Sequence, residues 1–124
     1  MIGKAYISIF QFYDKNQNRM NYKKRPVLII GKADDSDYVI LPISSVSNRS
    51  KLNPVYDYPI SPLTVPSMGL KVASYIRTHK QAVVHKGSLT KEIINFKKEY
   101  PDDYKKVLLK VEEFQKELIA NAIK

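Results

Sequence analysis

Six short segments rich in Val, Ile, Tyr and Phe dominate the first 86 residues, and they constrain the fold more than any other feature of the chain. Each segment has a length typical of a strand, and turn residues separate it from the next. Strands so closely spaced favour a compact antiparallel barrel over βαβ units. The predicted strands are residues 3–13, 26–32, 37–43, 55–60, 70–77 and 81–86.

Turn residues and prolines mark the limits of these strands. Residues 33–36 (ADDS) predict a hairpin between the second and third strands. Pro54, Pro59, Pro62 and Pro66 predict an edge strand followed by an irregular loop over residues 54–68, because proline cannot donate to a strand ladder.

Helical periodicity begins near residue 88. Ser88 or Thr90 is suited to cap a short helix that reaches about residue 100, where Pro101 interrupts it. A second helix is predicted from about residue 102, because two aspartates there suit a helix N-terminus. Its apolar residues recur at three- and four-residue steps, which predicts one stripe that packs on the chain's own barrel. The stripe comprises Tyr104, Val107, Leu108, Val111, Phe114, Leu118 and Ile119.

Length and composition bound the class of protein. At 124 residues the chain is expected to form one domain, with a β-barrel over residues 1–88 and a helical segment over residues 89–124. The absence of cysteine excludes disulfides and thiolate metal ligands, and it favours a reducing compartment. No apolar run approaches the roughly 20 residues that a membrane span needs, and the first residues do not resemble a signal peptide. We therefore expect a cytoplasmic protein without a membrane partner.

Positive charge is concentrated in the predicted barrel. The net charge is +9, and residues 1–90 carry thirteen Lys and Arg against five Asp. Residues 91–124 carry eight Lys against seven acidic residues and are nearly neutral. A basic excess confined to the barrel fits an anionic partner such as RNA or DNA. A basic surface that serves only solubility is the simpler alternative.

Motifs of common enzyme chemistry are absent from the sequence. His79 and His85 stand without an HExxH or comparable ligand cluster, and residues 34–37 (DDSD) lack the order and the glycine of a calcium loop. No GxGxxG, Walker or GxSxG sequence occurs. The sequence therefore predicts no metal and no cofactor, and it removes the usual signals of nucleotide hydrolysis and acyl transfer.

Polar and cationic side chains cluster at the ends of three apolar strands. In residues 23–31 (KKRPVLIIG) three cations precede a proline and four apolar residues, and residues 41–45 (LPISS) and 74–80 (SYIRTHK) have a similar arrangement. Strand ends of a small barrel can converge on one concave face, so we predict a shared site. Three unrelated loops are the alternative that the pattern leaves open.

These three elements, in this order and with Gly3 opening the first strand, resemble the PemK/MazF family of toxin endoribonucleases over residues 3–89. The Arg-Pro-Val triplet is the most specific part of the match. The resemblance implies a small antiparallel Src-homology-3-like barrel, the fold of the PemK, MazF and CcdB toxins. It also implies a homodimer that cleaves single-stranded RNA without metal, as the toxin of a type II toxin–antitoxin system that a cognate antitoxin inhibits.

The resemblance assigns roles by position. Arg25 matches the catalytic arginine of the family, Ser44 matches a catalytic threonine or serine, and Arg77 lies in an Ile-Arg element of the RNA groove. His79 is a further candidate for acid or base catalysis, because the pKa of an ordinary histidine suits proton transfer near neutral pH. The other predicted RNA-binding residues are Tyr22, Lys23, Lys24, Ser45, Tyr75, Thr78 and Lys80. Two features depart from the family: Lys23 stands where a glycine is common, and the helical segment exceeds the usual ending.

The implied chemistry needs side chains alone. RNA cleaves itself when a ribose 2′-hydroxyl attacks the adjacent phosphorus. Arg25 offers a planar fork of donors to the phosphoryl oxygens, but it stays protonated and is a poor proton shuttle. Ser44 can donate or accept a hydrogen bond, and Tyr22 and Tyr75 offer stacking surfaces to unpaired bases.

The sequence leaves two other functions open. One is a catalytically silent barrel of the same fold that binds nucleic acid or a protein target, as the related gyrase-poisoning toxins do. The other is an interaction module whose helical tail makes the contacts. Arginine at position 25 together with a hydroxyl at position 44 favours RNA cleavage over both.

Overall fold

A computed structural model describes residues 1–45 and 48–124 and shows a mainly β chain with a C-terminal helix, as the sequence predicts. Its strands form one curled antiparallel sheet with the shape of a half-barrel. The elements are β1 (Lys4–Asp14), β2 (Arg19–Asp34), β3 (Asp37–Ser44), β4 (Asp57–Ile60), β5 (Ser74–Arg77), β6 (Ala82–His85), β7 (Leu89–Asn95), α1 (Phe96–Glu99) and α2 (Pro101–Ile123).

The sheet has the strand order β4-β5-β3-β2-β1-β7, and β6 also pairs with β3. Strand β2 lies between β1 and β3 in antiparallel register. One edge of β3 is shared: its first four residues pair with β6, and its last two pair with β5. The sheet therefore divides at β3. Strand β4 lies at one end of the order, which confirms the edge strand predicted from the prolines.

The sheet buries an apolar cluster on each face. Successive residues of a strand point to opposite faces, so Leu28 contributes to one cluster while Val27 and Ile29 contribute to the other. This alternation explains why Val27, Leu28 and Ile29 are all buried, while Ile30 is partly buried. Helix α2 covers the Leu28 face with Tyr104 and Val107.

The predicted start of the helical segment is wrong. Residues 89–95 form β7, which pairs with the outer edge of β1 instead of forming the first turns of a helix. Ile93 and Ile94 pack against the core from this strand, and Thr90 donates its hydroxyl to a backbone carbonyl of β1 rather than capping a helix. Asn95 caps α1, because its side chain accepts a hydrogen bond from the backbone of Lys98.

Side chains of α2 fix the helix to β4 and the segment before it. The hydroxyl of Tyr58 donates to Asp103, and the hydroxyl of Tyr56 donates to Glu117. Lys110 Nζ donates to a backbone carbonyl of the same segment at 2.6 Å. The helix therefore packs on its own sheet through the first part of the predicted stripe. Tyr104 and Val107 are buried, whereas Leu108, Leu118 and Ile119 are exposed, so that part of the prediction is wrong. Within the described residues, neither helix combines the length and the apolar character of a membrane span.

Candidate nucleic-acid interface

The three cations of the KKRPVLIIG motif lie inside β2. This part of the strand has no apolar run, and an unbroken backbone ladder to β1 holds it in place. Alternation puts Lys23 and Arg25 on the same face as Val27 and Lys24 on the other face, although Lys24 still lines one cavity together with Arg25. The sequence predicts a strand from residue 26 only, so the observed strand begins seven residues earlier.

Arg25 and Ser44 lie just beyond the same end of the β2–β3 ladder. Val27 and Pro42 are the last paired residues there, and Arg25 and Ser44 lie two residues further along β2 and β3. Both side chains are partly exposed. The fold thus brings together the two residues that the resemblance assigns to catalysis.

Two cavities flank this pair, and together we call them the Arg25 groove. One has a volume of about 410 Å³ and the other about 320 Å³, and both are lined by Lys23, Arg25 and Ser44. The first cavity adds Lys24, Ser45 and Ser74, whereas the second adds Phe10, Phe12, Arg77 and Lys80. Residues of all three predicted elements therefore line one concave surface, although residues 23–25 lie within a strand and not at its end.

The Arg25 groove is strongly basic. Among the residues that the structure describes, five cations line its two cavities, and no aspartate or glutamate does. Of these five, only Arg77 forms an ion pair with a carboxylate in the described part of the chain. Lys23 Nζ lies 5.0 Å from the centroid of the Phe12 ring, within cation–π range. The groove thus presents uncompensated positive charge beside aromatic rings.

Arg77 is held at the wall of the groove by Asp57. Its Nε donates to Oδ1 at 3.0 Å, its Nη2 donates to Oδ2 at 3.2 Å, and Nη2 also donates to the carbonyl of Lys51 at 3.0 Å. Asp57 accepts a further bond from the backbone of Asn53 at 2.8 Å, and its side chain is 1% exposed. Arg77 therefore shapes the groove with its charge already paired.

His79 lies outside the Arg25 groove, between the sheet and α2. Its ring centroid is 6.2 Å from those of Tyr56 and Phe114. Its Nδ1 is 3.7 Å from Asp57 Oδ1, which is too long for a hydrogen bond. Burial lowers the pKa of His79 below its ordinary value, and Asp57 opposes this shift. The structure does not bring His79 to Arg25.

The buried His79 is expected to make stability depend on pH. Because its pKa is lower in the folded chain than the ordinary 6.5, the unfolded chain binds the proton first as pH falls below that value. The free energy of unfolding should therefore decrease between about pH 7 and pH 5, and His79→Gln should reduce this decrease. Urea unfolding at each pH measures it. His85→Gln, at an exposed position, is the matched control; an equal decrease in all three proteins contradicts the expectation.

The remaining predicted RNA-binding residues have different positions. Thr78 is 1% exposed, and its hydroxyl donates to a backbone carbonyl at 2.5 Å, so its side chain lies inside the fold. Tyr22 is 67% exposed and lies with Lys24 on the opposite face of β2 from Arg25. Tyr75 pairs with Ser44 in the β3–β5 ladder and lines a separate cavity.

Sequence reasoning missed Phe10, Phe12 and Asp57. The two phenylalanines alternate with Gln11 on β1, and this period of two places both on one strand face. Asp57 is the single acidic residue between positions 38 and 91 of a basic chain. That isolation is a signal for a carboxylate with a specific cationic partner.

Comparisons with known proteins assign the chain to no family. No protein-family profile matches it, and no curated protein matches its sequence.

Within residues 1–45 and 48–124, no group of three or more His, Asp or Glu side chains is arranged to hold a metal ion. The geometry and charge of the Arg25 groove are therefore the features that indicate a function.

Proposed function

We propose that the chain is an endoribonuclease that cleaves single-stranded RNA. Within that class, we propose a toxin of the PemK/MazF type, with the Src-homology-3-like barrel of that family, acting in the cytoplasm as part of a type II toxin–antitoxin pair. The observation that carries the proposal is that Arg25 and Ser44 together line both cavities of a basic groove.

The charges of the groove suit the RNA backbone. Lys23, Lys24, Arg25 and Lys80 place four cations without carboxylate partners in the described residues along two adjoining cavities. Cations so arranged can bind successive phosphates, and the counterions condensed on the RNA are then released. Arg25 is the cation beside a hydroxyl side chain, so the phosphate that it binds is the one we propose to react.

The aromatic residues of the groove favour a single strand over a duplex. Phe10 and Phe12 lie on the same strand face as Lys23 and Arg25 and line the second cavity. Bases stack on such rings only when they are not paired in a helix, and stacking is tolerant of sequence. Binding is therefore expected to require unpaired nucleotides.

The reaction follows from these contacts. The ribose 2′-hydroxyl loses its proton to water as its oxygen attacks the adjacent phosphorus, and the bond from phosphorus to the 5′-oxygen breaks. The leaving 5′-oxygen takes up a proton from water, so the products carry a 2′,3′-cyclic phosphate and a 5′-hydroxyl. Arg25 donates to the phosphoryl oxygens as negative charge develops on them. The hydroxyl of Ser44 accepts a hydrogen bond from the attacking group or donates one to the leaving oxygen.

One observation favours a second candidate, a silent barrel that binds nucleic acid without cutting it. The side chains that line the two cavities include no histidine and no carboxylate, and His79 lies elsewhere. The groove thus lacks, in the described residues, a group with a pKa near neutral to move protons. Cleavage would then depend on Arg25, Ser44 and water.

Three nucleic acids of one sequence separate these functions. The protein is incubated with a long single-stranded RNA, with the same RNA as a duplex, and with the corresponding single-stranded DNA. We expect binding to both single strands but cleavage of the RNA alone, because DNA lacks the attacking 2′-hydroxyl. Binding of RNA without cleavage would support the silent barrel, and equal cleavage of the duplex would contradict the proposed substrate.

Neutralising the two adjacent lysines of β2 should weaken RNA binding in a salt-dependent way. For single strands, the logarithm of affinity changes with the logarithm of salt by about −0.7 per phosphate contacted. Lys23→Ala with Lys24→Ala should therefore flatten the slope by about 1.4 if each lysine contacts one phosphate. The adjacent pair Lys105→Ala with Lys106→Ala, exposed on α2, is the matched control and should leave the slope unchanged. A slope altered equally by both pairs contradicts the groove.

The partners belong to the same proposal. A symmetric homodimer would double the basic surface that one small barrel offers. A cognate antitoxin would block the groove with an acidic, partly disordered segment that competes with RNA for the same cations. The proposal includes neither a metal nor an organic cofactor.

A further inference from the structure

A third cavity lies beside the Arg25 groove, on the far side of β5. Its volume is about 540 Å³, larger than either cavity of the groove. Its polar lining comes from Arg49, Asn53, Asp57 and Tyr75, and Leu52 with Pro54 and Pro59 completes the wall. Of these residues, only Tyr75 belongs to the predicted site. We call this space the Tyr75 cavity.

The Tyr75 cavity is one strand away from Ser44. Tyr75 pairs with Ser44 on one side of β5 and with Pro59 of β4 on the other. Adjacent strands lie about 4.8 Å apart. The ion pair between Arg77 and Asp57 separates the two spaces, because Arg77 lines the groove and Asp57 lines the Tyr75 cavity. A nucleotide whose phosphate lies in the groove can therefore place its base, or that of its neighbour, in the cavity.

The amide and charged groups of the Tyr75 cavity offer donors. Asn53 Oδ1 already accepts from the backbone of Val55 at 2.9 Å and of Tyr56 at 3.0 Å, so its NH₂ group is the part left to bind a ligand. Asp57 is occupied by Arg77 and by the backbone of Asn53. Arg49 is exposed and carries donors alone.

The apolar part of the lining suits a flat ring. Leu52 and two prolines line the cavity together with the half-buried Tyr75, whose ring offers a stacking surface. The edge of a base that meets these donors must carry hydrogen-bond acceptors. On the base edge that faces the major groove of a duplex, guanine presents the acceptors O6 and N7 and uracil presents O4, whereas adenine and cytosine each present an amino donor.

We propose that the Tyr75 cavity is a base-recognition subsite for an unpaired uracil or guanine beside the phosphate bound at Arg25. This inference rests on the proposed function, because it presumes that the Arg25 groove binds RNA. Asn53 is the specificity-determining residue: its NH₂ donates to the carbonyl oxygen of the base.

Asn53→Asp tests the proposal most sharply. The aspartate keeps the Oδ1 acceptor that organises the turn before Tyr56 and replaces the NH₂ donor with a second acceptor. The substrates are short single-stranded oligoadenylates that contain one uracil, one guanine, one cytosine or no substitution. Their affinities are measured by fluorescence anisotropy with the full chain, and the cut positions in a randomised RNA pool are mapped in parallel.

The wild-type protein is expected to prefer the uracil or guanine oligonucleotide by about tenfold, and Asn53→Asp should remove that preference. The ratio of affinities is compared, because the added negative charge weakens binding to every RNA. Asn121→Asp, which makes the same charge change at an exposed position of α2, should preserve the ratio.

Each outcome decides between the subsite and the function. Equal affinity for all four oligonucleotides, or an unchanged preference in Asn53→Asp, overturns the subsite even if RNA is cut. RNA that is bound with the expected preference and never cut overturns the endoribonuclease and supports the subsite. A protein that binds none of the oligonucleotides overturns both.

Discussion

Arg25→Ala is expected to slow RNA cleavage by about 10²–10³-fold, the typical effect of removing one preorganised donor from developing negative charge. Arg25 and Ser44 line both cavities of the groove, so the guanidinium is available to a phosphate bound beside the Ser44 hydroxyl. A single-turnover rate measured with protein in excess over RNA isolates the chemical step from substrate binding.

The fold of the Arg25→Ala variant should persist. Arg25 is partly exposed and has no ion pair in the part of the chain that the structure describes, so its removal leaves no buried charge without a partner. Lys32→Ala removes a cation from the same strand outside both cavities and is the matched control. Arg25→Ala that cuts as fast as Lys32→Ala would refute the catalytic role.

Asp57→Ala is expected to destabilise the fold by about 3–5 kcal/mol, the usual cost of removing one partner from a buried ion pair. The carboxylate is 1% exposed and the Arg77 side chain 14%, so the alanine variant would leave the guanidinium poorly solvated and without its anion. The backbone N–H of Asn53 would lose its acceptor as well. Urea unfolding followed by circular dichroism measures the change in the free energy of unfolding.

The exposed ion pair between Lys4 and Glu92 supplies the matched control for Asp57→Ala. Its two charged atoms are also 3.0 Å apart, but the side chains are 31% and 44% exposed. Exposed pairs contribute about 0–1 kcal/mol, so Glu92→Ala should change the free energy of unfolding little. If the two variants lost the same free energy, burial of Asp57 would not explain its role.

The sequence predicts those parts of the fold in which apolar residues recur at the spacing of a strand or a helix. The buried run of β2 and the first part of the apolar stripe of α2 are examples, because side-chain burial specifies both. Leu118 and Ile119 continue the period but are exposed, so the period alone does not show which residues are buried. The first half of β2 and all of β7 are held by backbone pairing with β1, which their own composition does not reveal. Ser88 and Thr90 suited a helix cap, but the open edge of β1 gave the following residues a partner in the sheet.

The sequence likewise predicts the position of some residues of the candidate site but not of others. Arg25 and Ser44 could be placed together because both stand where apolar strands become polar. His79 follows a strand end too, yet it packs under α2, and a local pattern does not say which side of the sheet a distant helix will cover. The pairing of Asp57 with Arg77 joins residues twenty positions apart, so it depends on the β4–β5 register.

The chemistry of the RNA ends tests the central claim most directly. A long single-stranded RNA is incubated with the wild-type protein in excess EDTA, and the ends of the fragments are identified by their reactivity with phosphatase, kinase and ligase. Attack by the 2′-hydroxyl predicts fragments with 2′,3′-cyclic phosphate and 5′-hydroxyl ends, formed at the same rate with and without EDTA. Fragments with 5′-phosphate and 3′-hydroxyl ends, or cleavage that EDTA abolishes, would contradict it.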